Sequence, residues 1–302
     1  MSDTEAFRID KRGVRASFER AAADYDRVAV LQREVGDRLL ERLDVLRIAP
    51  ERVLDLGTGT GYIARTLTKR YGGARVVALD IAPAMLLQAR RRAGWWRRPR
   101  FVCGDIERLP FADHSVDLLL SNLTLQWCNA LEAAFAEFRR VLRPGGALLF
   151  TSFGPDTLGE LRASWAAADG YSHVNRFLDL HDVGDALLRA GLRDPVLDVE
   201  RLTLTYPDLR GLVEDLKTLG AHNQTAGRAR GLTGKGRWQR VRETYDDFRV
   251  DGLLPATYEV IHGHAWAPEA AGVGGVAAQR PAGDGVRVPV AALRGRNRPA
   301  RP

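Results

Sequence analysis

The sequence predicts an α/β fold built on a doubly wound, mostly parallel sheet of seven strands. Short apolar runs alternate with helical patterns through the first half of the chain, a glycine-rich turn follows the first run, and two longer strand patterns occur in the second half. Strands that alternate with helices at this spacing form βαβ units, whose crossovers make neighbouring strands parallel.

The individual elements follow from hydrophobic periodicity. Residues 14–46 carry apolar side chains at three- and four-residue steps, which predicts helix, and Pro50 ends this region. The seven predicted strands are Val53–Leu56, Val76–Asp80, Phe101–Cys103, Val116–Ser121, Ala147–Thr151, Pro195–Tyr206 and Thr257–Trp266. Helices are predicted between them, near residues 61–70, 84–93, 130–142, 155–168 and 180–190.

These elements divide the chain into four parts. We expect an N-terminal helical lid segment at 1–50, a ligand-binding core at 51–206, and a helical lid insertion with the final strand at 207–266. The remainder, 267–302, contains nine Ala, six Gly, five Pro and six Arg. Such a composition seldom packs, so this tail is predicted to be disordered.

Charge and cysteine content exclude several classes of protein. The net charge is +7, but the tail contributes six arginines and only two acidic residues, Glu269 and Asp284. The rest of the chain is therefore only mildly basic, and no nucleic-acid partner is expected. No apolar run approaches the roughly 20 residues of a membrane span, and the N-terminus lacks a signal pattern. The two cysteines form no CxxC pair, and no metal spacing occurs. We therefore expect a cytoplasmic location and no metal.

The central motif is Asp55-Leu56-Gly57-Thr58-Gly59-Thr60-Gly61, between the first strand and a helix. Glycines at this point let the backbone turn tightly and approach a ligand at a helix N-terminus. The spacing differs from a dinucleotide fingerprint and resembles motif I of the Rossmann-like class I methyltransferases. The resemblance implies S-adenosylmethionine as cofactor, with its amino-acid end held by Asp55, Gly57, Thr58, Gly59 and Gly61.

Three further segments occur at the positions this resemblance requires. Asp80 ends the second strand, 23 residues after Gly57, a spacing at which an acid reaches ribose hydroxyls. The segment that begins Gly104-Asp105-Ile106 resembles the family's adenine-contacting segment, and Leu142–Gly146 resembles its helix-to-strand turn. We therefore assign the cofactor site also to Asp80, Ile81, Asp105, Ile106 and Asn122.

The residues at the end of the fourth strand reduce the number of possible methyltransferase classes. Residues 121–128 lack the Asx-Pro-Pro-aromatic motif of amino-group methylases, and no Pro-Cys pair offers the thiol of cytosine methylation. Together with Ser17–Asp26, Leu31-Gln32 and Asn175–Phe177, the segment Ser121–Asn129 resembles the malonyl-acyl carrier protein O-methyltransferases of biotin synthesis. The resemblance covers about residues 12–266.

This resemblance implies methyl transfer to the free carboxylate of malonyl-acyl carrier protein, or of malonyl-CoA, to give an ester that primes pimeloyl synthesis. A carboxylic acid with a pKa near 4 is ionised at neutral pH, so no general base is required. Arg176 is the candidate for binding the substrate carboxylate, and Tyr25 is the candidate lid residue. Because carrier proteins are acidic, the basic run is the candidate docking surface: Arg228, Arg230, Lys235, Arg237, Arg240 and Arg242.

Two alternatives remain open from the residues. Phe153–Leu158 and Tyr206–Asn223 are also similar to mitochondrial complex I assembly factors, a group assigned arginine hydroxylation, so a non-methylating factor on the same fold is one alternative. The other is a carbon or oxygen methyltransferase acting on a quinone or another small molecule.

Overall fold

The computed structural model describes residues 8–95, 98–221, 223–225 and 234–269. Seven strands form one sheet in the order β3-β2-β1-β4-β5-β7-β6. Their bounds are β1 Arg52–Leu56, β2 Arg75–Asp80, β3 Arg100–Cys103, β4 Val116–Ser121, β5 Leu142–Phe153, β6 Arg193–Tyr206 and β7 Leu254–Trp266. The predicted α/β class and strand number are confirmed.

Strand direction fixes where a ligand can bind. Strands β1 to β5 are parallel, whereas β7 pairs antiparallel with both β5 and β6. The chain crosses from one side of β1 to the other, so the strand order reverses between β1 and β4. A crevice opens at such a reversal, outside the carboxyl ends of the strands. Leu56, Asp80 and Ser121 end their strands at this edge.

Ten α-helices surround the sheet in the described residues, besides two short 3-10 helices at Arg42–Asp44 and Leu125–Trp127. The α-helices are α1 Lys11–Ala21, α2 Tyr25–Val28, α3 Val30–Glu41, α4 Tyr62–Arg70, α5 Pro83–Arg92, α6 Leu131–Val141, α7 Gly159–Ala166, α8 Leu180–Arg189, α9 Leu209–Thr218 and α10 Lys235–Asp246. Side chains of Asp10, Asp179 and Asp208 cap α1, α8 and α9 by accepting from backbone N–H groups of the first turn. Such caps stabilise helix starts by about 1 kcal/mol each.

The helical region predicted over 14–46 consists of three helices, α1, α2 and α3, and not of one continuous helix. The two halves of the apolar stripe have different partners. Phe18 packs beside the crevice with Trp127, whereas Leu39 and Leu43 pack on the sheet with Val53. A straight helix could not bury both stripes, and the breaks at residues 22–24 and 29 reorient the chain between them.

The core has two layers on the sheet and a third cluster beneath the later helices. Phe135, Phe138 and Phe150 are fully buried on one face, where α6 and α8 pack, and Leu39 and Leu67 on the other, where α3 and α4 pack. The third cluster joins α7, α9 and α10 to the long strands β6 and β7 and contains the following buried side chains: Leu158, Leu161, Leu209, Leu212, Val241, Tyr245, Tyr258 and Val260.

The predicted four-part division stays a prediction. Residues 207–266 do contain two helices before the final strand, and that strand lies inside the sheet, between β5 and β6. Within the predicted tail, Ala267 exchanges backbone hydrogen bonds with Gly145 and Gly146, while residues 270–302 lie outside the described residues. No helix in the described part of the chain is long and apolar enough to cross a membrane.

Candidate active site

The glycine-rich turn has a backbone conformation that requires glycine. Gly57, Gly59 and Gly61 have φ angles of +68°, +53° and +81°, in the left-handed region. A Cβ on Gly57 would overlap the side chain of Thr124, and one on Gly61 would lie 2.8 Å from Cβ of Ala89. The turn is therefore held against α5 and the loop that follows β4, at the carboxyl edge of the sheet.

Two buried carboxylates lie beside this turn. Asp80 accepts hydrogen bonds from the N–H groups of Gly59 at 2.9 Å and Ala82 at 2.8 Å. Asp55 accepts from Thr58 Oγ1 at 2.5 Å. Burial raises the pKa of Asp55 to about 7 and that of Asp80 to about 6. The hydrogen bonds favour the ionised carboxylates and so lower both pKa values, but the effect of burial is larger.

A cleft of about 620 Å³, which includes its open mouth, runs along the turn. Seven of the predicted cofactor residues line it: Gly57, Gly59, Asp80, Ile81, Asp105, Ile106 and Asn122. Asp55 and Thr58 line a side cavity that continues the cleft past Gly59, whereas Gly61 lies behind the turn as the residue before α4. The structure thus brings nine of the ten predicted residues to one connected space.

Helix α1 forms a wall of the cleft that the sequence did not assign to the site. Val14 and Phe18 line the cleft, and the Phe18 ring meets Trp127 edge-on with 5.5 Å between centroids. Val14 and Phe18 are four residues apart, a spacing that predicts one buried helix face. Periodicity alone cannot say that the face covers a ligand cleft, because that depends on where the helix packs.

Lys11 is a second unassigned residue of the cleft. Its Nζ lies 2.9 Å from Asp105 Oδ1 and 2.5 Å from Glu107 Oε2, and Ile9 exchanges hydrogen bonds with the side chain of Asn129. Glu107 in turn accepts from the N–H groups at the start of α6. These contacts fasten the N-terminal segment over the end of the cleft that Asp105 lines.

Asn122 and its neighbours connect the cleft to the N-terminal segment. Asn122 Nδ2 donates to the carbonyl of Gln32 at 2.9 Å, and its Oδ1 accepts from Thr151 Oγ1 at 2.7 Å. The N–H of Leu123, at φ +47°, also donates to Thr151 Oγ1. The amide of Asn122 therefore positions α3 against β5, and its predicted contact with the cofactor stays a prediction.

Beyond Tyr25, Leu123 and Trp127 the cleft opens into a second space, which we call the acceptor cavity. It is further lined by Gln32, Gln126, Asn175, Phe177, Tyr258 and apolar side chains. The Oε1 atoms of Gln32 and Gln126 are buried and have no partner among the described residues. Burial raises the pKa of Tyr25 far above its ordinary value, as do the charges of Asp80 and Asp26, so its phenol stays neutral.

The acceptor cavity continues into a wide groove between α7, α9 and α10, which we call the outer groove. Asn175 and Phe177 line both spaces, and the groove has a volume of about 1600 Å³ that includes open solvent. Its walls are mainly apolar, with Leu161, Trp165 and Trp238 among them. The charged side chains that line it are Lys217, Lys235 and the ion pair of Arg210 with Glu214.

One wall of the outer groove is held by an aromatic and charged cluster. The rings of Trp165 and His173 stack with 3.7 Å between centroids. Asp169 lies 2.9 Å from His173 Nε2 and 3.5 Å from Arg237 Nη1. This cluster anchors the loop that carries Asn175 and therefore shapes both the groove and the acceptor cavity.

The predicted substrate residues are only partly brought together. Arg176 is exposed, whereas its neighbours Asn175 and Phe177 line the acceptor cavity. In the predicted docking run, Lys235, Arg240 and Arg242 are exposed on α10, and Arg237 is half-buried against Asp169. The two remaining members, Arg228 and Arg230, lie outside the described residues. Sequence alone could not distinguish Asn175 from Arg176, because adjacent loop residues point in different directions.

Comparison with known proteins agrees with this geometry. Residues 54–150 match the family model described as a methyltransferase domain. The chain is 56% identical to malonyl-acyl carrier protein O-methyltransferase of Laribacter hongkongensis, over 88% of this chain and 93% of that protein. It is 52% identical to the Gallionella capsiferriformans protein of the same name, over 87% and 92%. It is 51% identical to that of Halorhodospira halophila, over 99% and 100%.

Solved structures share the fold at low sequence identity. A candidate methyltransferase from Bacillus halodurans matches with a TM-score of 0.55 and 22% identity, over 77% of this chain and 98% of that chain. The YcgJ protein of Bacillus subtilis matches with a TM-score of 0.56 and 17% identity, over 78% and 99%. The predicted Rossmann-like methyltransferase fold is confirmed. Together with the curated relatives, this establishes an S-adenosylmethionine-dependent methyltransferase that belongs to the malonyl-acyl carrier protein O-methyltransferase family.

Proposed function

We propose that this enzyme methylates the free carboxylate of a malonyl group carried by acyl carrier protein, giving a malonyl methyl ester for biotin synthesis. The observation that carries the proposal is the lining of the acceptor cavity. Among the described residues around it, the polar groups are amides, hydroxyls and phenols such as Tyr25, Gln32, Gln126 and Asn175, with no Asp, Glu, His, Lys or Arg.

A cavity without a basic side chain suits an acceptor that needs no deprotonation. A phenol, amine or carbon acid would require a general base, whereas a carboxylate with a pKa near 4 is already a nucleophile at neutral pH. The task left to the protein is alignment, which can contribute about 7–11 kcal/mol. Neutral donors such as the Tyr25 phenol can hold a carboxylate without adding a competing charge.

The cleft fits S-adenosylmethionine, which supplies an electrophilic methyl group on a sulfonium. The positive-φ turn leaves space beside Gly59, where an added Cβ would enter the cleft with the Tyr25 ring as its nearest neighbour at 3.9 Å. Asp80 places a buried carboxylate at the distance along the chain that suits ribose. Asp80 would accept from the ribose hydroxyls, Asp105 and Ile106 would border the adenine, and Asp55, Thr58 and Gly59 would border the amino-acid end. Tyr25 would stand between the donor and the acceptor cavity.

Asn175 is a stronger candidate than Arg176 for binding the malonyl carboxylate. Asn175 is buried at the cavity wall, where its Oδ1 accepts from the N–H of Gln224 at 3.3 Å, so the amide is held in one orientation. Arg176 is exposed on the same loop. The role of Arg176 stays a prediction, and we infer that Asn175 contributes to carboxylate binding inside the cavity.

The outer groove suits the long, flexible arm of a carrier protein. Its apolar walls lead from the protein surface to the acceptor cavity, and Lys217 and Lys235 lie along it. The exposed side chains of Lys235, Arg240 and Arg242 on α10 continue this positive charge outside the groove. An acidic carrier would be attracted to this face, and the groove would bind the arm by apolar contact. A reducing, cytoplasmic setting, expected from the unpaired Cys103 and Cys128, remains a prediction.

The proposal is tested by incubating the enzyme with labelled S-adenosylmethionine and malonyl-acyl carrier protein, with acetyl-acyl carrier protein as the matched control. We expect label to enter only the malonyl substrate, as a base-labile methyl ester. Methylation of a quinone but not of the malonyl thioester would establish the small-molecule alternative. No methyl transfer to any acceptor, with S-adenosylmethionine bound, would favour the non-methylating alternative.

Two variants test the cavity. Asn175→Asp keeps the size of the side chain but adds a negative charge, so we expect a KM for malonyl-acyl carrier protein at least tenfold higher, with unchanged affinity for S-adenosylhomocysteine. Arg176→Ala provides the comparison on the exposed side of the loop. A larger effect of Arg176→Ala than of Asn175→Asp would return the carboxylate-binding role to the arginine.

A further inference from the structure

The side cavity beyond Gly59 contains a cationic group that the assignments above do not use. It is lined by Arg33 together with Asp55, Thr58, Gly59 and Asn122. Arg33 belongs to the first turn of α3, and its Nη2 donates to the backbone carbonyl of Asp26. This contact holds the guanidinium at the end of the cavity, next to the glycine-rich turn.

Two more arginines surround Asp26 behind this cavity. Asp26 accepts from Thr60 Oγ1 at 2.5 Å and pairs with Arg92 at 3.0 Å, and Arg65 donates to the Thr60 carbonyl at 2.9 Å. Arg92 Nη1 is buried without a partner among the described residues. Burial lowers the pKa of Arg65, and the like charges of Arg92 and Arg33 lower it further, against the attraction of Asp26.

The charges in this cluster do not balance. Of the three guanidiniums, that of Arg92 pairs with the Asp26 carboxylate, whereas those of Arg33 and Arg65 donate to backbone carbonyls. Burial raises the pKa of Asp55, across the cavity, to about 7, so this carboxyl is not fully ionised at neutral pH. Helices α3 and α4 also begin at this cavity, because Gln32 and Tyr62 line it from their first turns, and helix starts favour anions. A negatively charged ligand group would complete the site.

We propose that Arg33 binds the α-carboxylate of S-adenosylmethionine and thereby selects donors that keep this group. The assignment rests on the orientation proposed above, in which Asp80 takes the ribose and the glycine-rich turn takes the amino-acid end. Guanidinium is well matched to carboxylate, because its planar fork can donate two parallel hydrogen bonds. Arg33 also fastens Asp26, so binding the carboxylate would secure the segment that carries Tyr25.

The test compares two ligands that differ only in this group: S-adenosylhomocysteine and its decarboxylated analogue, which keeps the amine. Calorimetry should show that Arg33→Met weakens binding of S-adenosylhomocysteine by about 10- to 100-fold, the range for a charge-assisted hydrogen bond. Affinity for the decarboxylated analogue should change less than about threefold. Arg27→Met, at an exposed arginine of α2, is the matched control and should change neither affinity.

Arg33→Lys should restore part of the affinity for S-adenosylhomocysteine, and circular dichroism should show that each variant is folded. Equal weakening of both ligands in Arg33→Met would overturn the proposal, because the residue would then act only through the shape of the segment. Unchanged binding of S-adenosylhomocysteine in that variant would also overturn it. If the wild-type enzyme binds neither ligand, the donor placement itself is wrong, which is a separate failure.

Discussion

The buried carboxylate of Asp80 makes the stability of the ligand-free protein depend on pH. Its pKa is about 6 in the folded chain and near 3.8 for the ordinary group, and the cause is burial at 7% exposure. The folded chain therefore holds this proton more tightly than the unfolded chain. The resulting stabilisation is fully present below about pH 4 and is lost as pH rises through 6.

The size of the effect follows from the two pKa values. At about 1.4 kcal/mol per pH unit, the shift from 3.8 to about 6 corresponds to about 3 kcal/mol. About 2 kcal/mol of this should be lost between pH 4.5 and 8. Asp80→Asn resembles the protonated carboxyl at every pH, so we expect the variant to lose about 2 kcal/mol less than the wild type over this range.

Urea denaturation of the ligand-free protein at pH 4.5 and 8, followed by circular dichroism, measures this difference. Asp247→Asn, at an exposed residue after α10, is the control and should leave the pH dependence unchanged. Adding S-adenosylhomocysteine at pH 8 should stabilise the wild type more than Asp80→Asn, because in the proposed donor placement the ionised carboxylate would accept hydrogen bonds from the ribose hydroxyls. Identical pH dependence in wild type and Asp80→Asn would refute the reasoning.

Three further predictions concern the turn, the acceptor and the carrier. Gly57→Ala should lower the free energy of unfolding by about 1–3 kcal/mol and impair donor binding, because φ is +68° and Thr124 occupies the space. Urea denaturation measures the free energy of unfolding, and calorimetry measures donor binding. The control Gly73→Ala, where a Cβ meets nothing within 4 Å, should change neither quantity. At saturating donor, kcat for the malonyl substrate should be flat from about pH 6 to 8, and a rise with an apparent pKa in that window would indicate a general base. The double change Lys235→Glu and Arg240→Glu should raise the KM for malonyl-acyl carrier protein, and the increase should be smaller in high salt. Activity on a short malonyl thioester should stay unchanged. Equal losses of activity on both substrates would contradict docking at α10.

Much of the fold could be predicted from the chain because its signals are local. The alternation of apolar strands with amphipathic helices specifies a parallel sheet, and each predicted strand overlaps an observed one. The largest difference is at β5, which begins at Leu142, within the segment predicted as a helix-to-strand turn. The helical pattern over 14–46 does not show that the region is divided into α1, α2 and α3. Its two apolar stripes bury against different partners, and a one-dimensional pattern does not contain that information.

The sequence by itself determined the glycine-rich turn and the two acidic strand residues beside it, because short-range spacing specifies the positions of Asp55, Gly57, Gly59 and Asp80. Only the tertiary structure decided which distant side chains meet at the cleft. Lys11, Phe18 and Arg33 come from the N-terminal segment, and Asn175 from a loop more than a hundred residues after the glycine-rich turn. Their chemistry is ordinary for surface and core residues, and only packing, which depends on contacts between residues far apart in the chain, brings them to the cleft and its cavities.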